Sequence, residues 1–335
     1  MRKQRRASVV RSTSYSLNLP KKRVERAVTS LLRAGLLRRA SDVAKDTALQ
    51  WCSRLRLSWA SRGWAEAAEY HILTYGYQFV EADREGSRFA SKRMAEYASA
   101  EPDRDRRKEY PSAMSRMSLP EPSPGLVPVP ASALFLGHPK SRRLDSECLA
   151  SIVSIAFGQT GSMRTRWAGE PLLHRTSPSG GSRHPTEVYI ASIDIHGLQP
   201  GWYHLAINPV TLELLRGTRI EDAELRRLFP ATYVRAGFKV GAIIILTSRF
   251  ERNMYRYREP RTFRTVHMDA GHLAASVCLA AEAFGLRYFM DYPANEDEVE
   301  RELGISRLEE GYLVSMALGE ADVSSLPDLN AESQQ

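Results

Sequence analysis

Residues Arg175 to Tyr189 read RTSPSGGSRHPTEVY, a density of glycine, proline and small hydroxyls that an ordinary turn does not need. Adjacent glycines, Gly180 and Gly181, let a backbone approach a flat ligand closely and present successive N–H groups in conformations closed to other residues. With Pro178 and Ser179 before them and Pro185 after, the loop reads as a rigid cradle running into a strand at EVYI. Upstream, Lys140, Ser141, Arg142 and Arg143 precede a helical pattern that begins at Leu144. An ammonium, a hydroxyl and two guanidinium forks at a helix start suit a phosphate. Arg175 and Arg183 flank the loop, and His184 inside it is placed to line a site. His204 reads as a strand residue. His267 and His272 are five apart without a carboxylate cluster, which is not the spacing of a helical metal pair, so structural or capping roles are predicted. No Ser/His/Asp constellation can be assembled. Cys52, Cys148 and Cys278 lie far apart with no CxxC, which points to reduced structural thiols and no metal.

The elements that must hold these residues follow from periodicity. Leu144 to Phe157 is an amphipathic helix stopped by Gly158. Glu187 to Ile195, Gly201 to Ile207, Lys239 to Thr247, Leu286 to Met290 and Tyr312 to Leu318 read as strands, the third so apolar that a central place is predicted. Asp269 to Phe284 is an alanine-rich buried helix closed by Gly285. No GxGxxG follows the first strand and no GxxxxGK[ST] is present, so neither a dinucleotide fold nor a P-loop is supported.

The 335 residues suggest roughly two domains, or one with a sizeable appendage. No apolar run approaches the ~18 residues of a bilayer span, and the basic N-terminus lacks an apolar stretch and a cleavage site, so a soluble cytoplasmic protein is expected. The net charge of +8 is local: residues 1–39 hold twelve Lys or Arg against Glu25, which leaves −3 for the rest. Within that segment Val24, Ala27, Val28, Leu31 and Leu32 share one helical face between Pro20 and Gly35, with Leu36 and Leu37 following as in a winged helix. It reads either as a small winged helix gripping DNA or a peptide, or as a terminal helix with a solvated basic face. Helical patterns continue to residue 100, including the aromatic-rich Trp64 to Phe79. Between Glu101 and Pro130 stand seven of the eighteen prolines and a DRDRRKE cluster, which predicts a linker or domain boundary.

The glycine loop resembles the flavin loop of the SagB-type dehydrogenases, a branch of the nitroreductase-like flavoproteins. Lys140 to Arg143 resembles the basic motif that opens their domain and holds the FMN phosphate. Gly201-Trp202-Tyr203-His204 resembles their next strand, and Asp269-Ala270-Gly271-His272 a helix start. The likeness covers about residues 132 to 320 and implies FMN on an α+β fold, a nitroreductase-like mixed sheet flanked by helices. It also implies a homodimer with each flavin at the subunit interface. In azoline-oxidising members a Lys-Tyr pair tied to proton removal precedes an RxYR segment. Here that stretch is Arg256-Tyr257-Arg258-Glu259-Pro260-Arg261, so tyrosine is kept and arginine replaces lysine. Arginine stays protonated at any working pH; it cannot take a proton as a neutral lysine could, but it stabilises a phenolate.

The expectation is therefore an FMN-dependent oxidoreductase modifying a ribosomally made peptide, with azoline-to-azole oxidation as the first reaction and reduction of dehydroamino acids or small electron-poor substrates as the alternative. Tyr257 and Arg256 are the catalytic candidates. Lys140, Ser141, Arg142, Arg143, Arg175, Pro178, Ser179, Gly180, Gly181 and Arg183 would bind the cofactor, and His184 and Arg261 the substrate. The domains would be a winged-helix-like, mostly helical region to residue 100, a proline-rich linker over 101–131, the FMN domain over 132–325 and a disordered tail. The basic N-terminus would hold an acidic leader peptide. A DNA-binding regulator with a flavin sensor and a flavin-free scaffold are the competing classes.

Overall fold

In the computed structural model, residues 20–33, 47–75, 84–100, 107–120, 143–164, 171–207 and 209–321 are described. The chain divides into two units, Met1–Gln78 and Phe79–Gln335. In the first, α1 (Lys21–Arg33) starts where Pro20 was expected to start it, the Pro20 carbonyl accepting from Arg23 N–H at 2.8 Å. The wing residues that would follow Gly35 lie outside the described residues. Helices α2 (Thr47–Ala60) and α3 (Ala65–Thr74) meet through aromatic rings: Trp59 stacks on His71 at 5.3 Å and Trp51 lies 4.6 Å from Tyr75.

The second unit contains α4 (Arg84–Ala100) and a seven-stranded sheet. Its strands are β1 (Ser115–Ser118), β4 (Thr186–Ser192), β5 (Gly201–Ile207), β6 (Val210–Arg216), β7 (Ala242–Arg249), β8 (Leu286–Asp291) and β9 (Glu310–Glu320), in the order β1-β6-β5-β4-β7-β9-β8. Every pairing in the sheet is antiparallel. A separate hairpin pairs β2 (Gln159–Met163) with β3 (Leu172–Arg175). The helices are α5 (Ser146–Phe157), α6 (Asp222–Leu228), α7 (Pro230–Arg235), α8 (Glu251–Met254), α9 (Thr262–Ala283) and α10 (Glu296–Leu303). The architecture is α+β, as expected.

Side chains alternate across a strand, and here both faces are covered. Val188, Ile190, Ile244 and Leu246 pack with Ile152 of α5 and Val277 of α9. Tyr189, Ala191, Ile243 and Ile245 pack on the other side with Leu228, Phe229, Val299 and Leu303. That is why β7 reads as an unbroken apolar run. Each fully buried aliphatic side chain contributes roughly 1.5–3 kcal/mol before entropy is counted.

Three expectations are corrected. Helix α9 begins at Thr262, not Asp269, because buried Val266 extends its apolar face upstream of Ala270, Leu273 and Val277; the DAGH motif lies inside the helix. Helix α5 starts two residues after Leu144, where the Asp145 carboxylate accepts from Cys148 N–H at 2.8 Å as an N-cap. The proline-rich stretch is not simply a linker. Within it β1 pairs with β6, Lys108 Nζ lies 2.7 Å from Glu310 and 2.5 Å from the Tyr189 hydroxyl, and the Tyr110 hydroxyl lies 3.0 Å from that of Tyr189. Hydrogen bonds to buried groups of the sheet fasten residues 107–120 to it, and the unit boundary falls at Gln78, before α4. The expected tail, 326–335, lies outside the described residues. Among those described, no helix is long and apolar enough to cross a membrane.

Candidate active site

The glycine loop leaves β3 and enters β4 through a tight turn at Gly180–Ser182. Three of its residues have left-handed backbone: Gly181 at φ 63°, Ser182 at 52° and His184 at 46°. Such conformations persist where the surroundings over-determine them, and here those surroundings can be named. Asp269 of α9 accepts from the Ser179 hydroxyl at 2.6 Å and from Gly180 N–H at 3.1 Å, while Ser179 Oγ accepts His184 N–H at 2.9 Å. Burial pushes the Asp269 carboxyl above its ordinary value against these stabilising bonds. His184 Nε2 lies 2.9 Å from the Leu173 carbonyl, and burial followed by the nearby Arg175 charge pushes this imidazole down to about 4. A neutral His184 therefore donates to Leu173 and braces the loop against β3.

The exit of the loop is clamped by Arg252. It donates to the His184 carbonyl at 3.0 Å, pairs with Glu187 and accepts, through its own carbonyl, Arg183 Nε at 2.8 Å. Arg183 is buried, its guanidinium 5.2 Å from the Tyr255 ring. It is thus turned into the protein. Glu187 leads on to His204, whose ring nitrogens lie 3.1 Å from Glu187 and 2.8 Å from Glu213. This buried charge network holds the back of the loop, leaving Pro178 and Gly181 exposed.

Over those exposed residues stands Tyr257. A methyl group on Gly181 would overlap the Tyr257 hydroxyl, and one on Gly180 would overlap Thr265 of α9. The segment carrying Tyr257 runs from α8 to α9, fixed by Tyr257 N–H on the Asn253 carbonyl at 2.8 Å and by the Thr262 hydroxyl on the Tyr257 carbonyl at 3.3 Å. The Arg256 guanidinium lies 5.4 Å from the Tyr257 ring centroid, and Arg261 stands half-buried just before α9. The structure thus brings Pro178 to Gly181, Tyr257 and Arg256 together.

It does not bring Arg143 there. Arg143 borders a cleft with Asp194, His196, Lys239 and Glu320, beyond the N-terminus of α5, whereas Ser177 bonds to Ala156 at the C-terminal end of that helix. The length of α5 separates them, roughly 18 Å at the usual rise per residue. Lys140, Ser141 and Arg142 lie outside the described residues. Asp269, Arg252 and Glu187 were missed as loop holders; the only sequence signal was the DAGH motif.

The two glycine N–H groups of the loop differ. Gly180 N–H is spent on Asp269, whereas Gly181 N–H has no hydrogen-bond partner among the described residues. A pattern built from the nitroreductase family matches residues 140–320. The chain belongs to the nitroreductase family. Members of this oxidoreductase family typically bind flavin. The trifolitoxin-processing protein TfxB of Rhizobium leguminosarum bv. trifolii is 34% identical over 190 residues, 53% of this chain and 50% of that one. A solved structure from Anabaena variabilis, described as a nitroreductase, is 23% identical with a TM-score of 0.52, covering 70% of this chain and 46% of that one. A chain of the E. coli microcin synthetase McbBCD complex, with truncated pro-MccB17 bound, is 17% identical with a TM-score of 0.46, covering 85% and 98%. The chain spans about half the length of the curated relatives it matches.

Proposed function

We propose that this nitroreductase-family protein is an FMN-dependent dehydrogenase that modifies a ribosomally made peptide. The observation that carries the reading is the Tyr257 hydroxyl lying against Gly181, which sets a proton-transfer group at the glycine loop. The relative named for trifolitoxin processing supports a peptide substrate. Bound FMN would supply the acceptor for a hydride from a substrate carbon. The chain's own residues would do the rest: Pro178 to Gly181 would seat the ring, the Tyr257 phenolate would receive the proton released from the neighbouring substrate atom, and Arg256 would stabilise that phenolate before the transfer. In azoline oxidation one C–H leaves as hydride and one as a proton, which gives the azole. Arg256 in the lysine position favours a second reading, reduction of a dehydroamino acid, in which the Tyr257 hydroxyl gives its proton as the hydride arrives.

Two observations support a homodimer. Arg143 and the glycine loop lie at opposite ends of α5, farther apart than a ribityl chain reaches, so Arg143 would hold the phosphate of a flavin on that loop only if a second copy contributed it. Along α9, Met268, Gly271, Ala275 and Leu279 lie exposed at about one-turn spacing, beside the Asp269 that holds the loop. Such an apolar stripe suits a second copy of the same helix.

The test of the reaction is anaerobic mixing of the flavin-loaded protein with a thiazoline-containing peptide. Bleaching of the flavin band is expected, and in Tyr257→Phe the bleaching slows by about 10²–10⁴-fold with flavin retained. Unchanged bleaching in that variant removes Tyr257 from the chemistry.

A further inference from the structure

Behind the glycine loop lies a second cleft, lined by Arg107, Lys108, Arg175, Glu187 and His204 and by the edge of β5. None of residues Pro178–Ser182 lines it. Its interior is about 50 Å³, room for a few water molecules or one small ion but not for a ring system.

The charges around it do not balance. Lys108 is paired with Glu310, and Glu187 is taken on both oxygens, by Arg252 and by His204. Glu213 is shared between His204 and Arg116 at 3.1 Å. That leaves Arg175. Its Nε is buried and has no hydrogen-bond partner among the described residues. The guanidinium is pushed down to about 10 by burial, against the pull of Glu187, with the cations Arg252 and Arg107 adding to the lowering. A half-buried arginine whose buried Nε lacks an acceptor is costly to keep, and the usual remedy is an anion that takes two of its donors at once.

We propose that this cleft is a binding subsite for one small oxyanion, a carboxylate or a phosphate, received by Arg175 with Lys108 beside it. The size of the cleft admits the anionic group alone, so a larger ligand would insert a side chain or terminus and leave its bulk outside. The hairpin β2–β3 supplies Arg175 and the strap 107–109 supplies the opposite wall, so occupancy ties two peripheral segments to the sheet.

The test is thermal unfolding of the full chain in inorganic phosphate, in acetate and in chloride at matched ionic strength. Wild type is expected to melt a few degrees higher in an anion that fills the subsite once that anion exceeds its dissociation constant about tenfold. A shift with both anions marks a carboxylate-accepting site, and a shift with phosphate alone marks a phosphate site. Arg175→Gln is expected to be at least as stable as wild type in chloride and to lose the anion-dependent shift, while Arg175→Lys keeps part of it. No shift in wild type, or a full shift in Arg175→Gln, overturns the proposal. Should Arg175→Gln fail to fold, wild-type crystals soaked in selenate decide: an anomalous peak beside Arg175 supports the subsite, and its absence in a fully soaked crystal contradicts it.

Discussion

Gly181 has to be glycine for two separable reasons, its positive φ and the hydroxyl above it. Gly181→Ala should cost roughly 1–2 kcal/mol through the left-handed backbone alone, read as a lower denaturant midpoint, and should also displace Tyr257 and weaken flavin retention. A variant with wild-type stability and flavin content would show that the loop opens differently. His184 makes a second prediction, in pH. Its imidazole is lowered from 6.5 to about 4, so the fold prefers it neutral; its stabilising contribution is complete above pH 6.5 and is lost as pH falls toward 4. The loss should be at most about 3 kcal/mol, and His184→Gln should flatten that part of the stability profile. An equally steep acid limb in the variant would assign it to other groups. The loop was legible from its glycines and prolines, but the direction of its side chains was not. His184 was expected to meet substrate and instead braces β3; Arg183 was expected near cofactor and is buried against Tyr255. Composition cannot say which way an arginine turns when one carbonyl, that of Arg252, decides it.

At the scale of elements, α9 does two jobs: one face holds the loop through Asp269 and Thr265, the other is exposed and apolar. Ala275→Arg places a charge in the middle of that exposed stripe without touching the core. It should yield monomers by sedimentation and release flavin together with them. A dimeric, flavin-loaded Ala275→Arg protein would place the interface elsewhere. The buried elements were readable because they carry a period: β7 is apolar on both faces and α5 ends at Gly158 as its pattern requires. Short β1, SRMS, carries no such period and is mostly exposed, and its strand character comes from pairing with β6. The first turns of α9 escaped notice because arginine, histidine and threonine dilute their apolar face, which is completed by tertiary contacts.

For the whole molecule, a loop rigidly backed by charge meets the Tyr257 hydroxyl, and Arg143 lies a helix length away. The segment 107–120 adds a strap that joins the sheet to residues ahead of the family-matched region. For the basic N-terminal segment, with α1 within it, we propose an acidic partner, a leader peptide and not duplex DNA. All of this presupposes a flavin on the glycine loop. The visible spectrum of the purified full chain tests that most directly: the account predicts absorbance near ~450 nm from bound FMN, present at purification or gained on adding FMN, and a colourless protein that takes up none would contradict it.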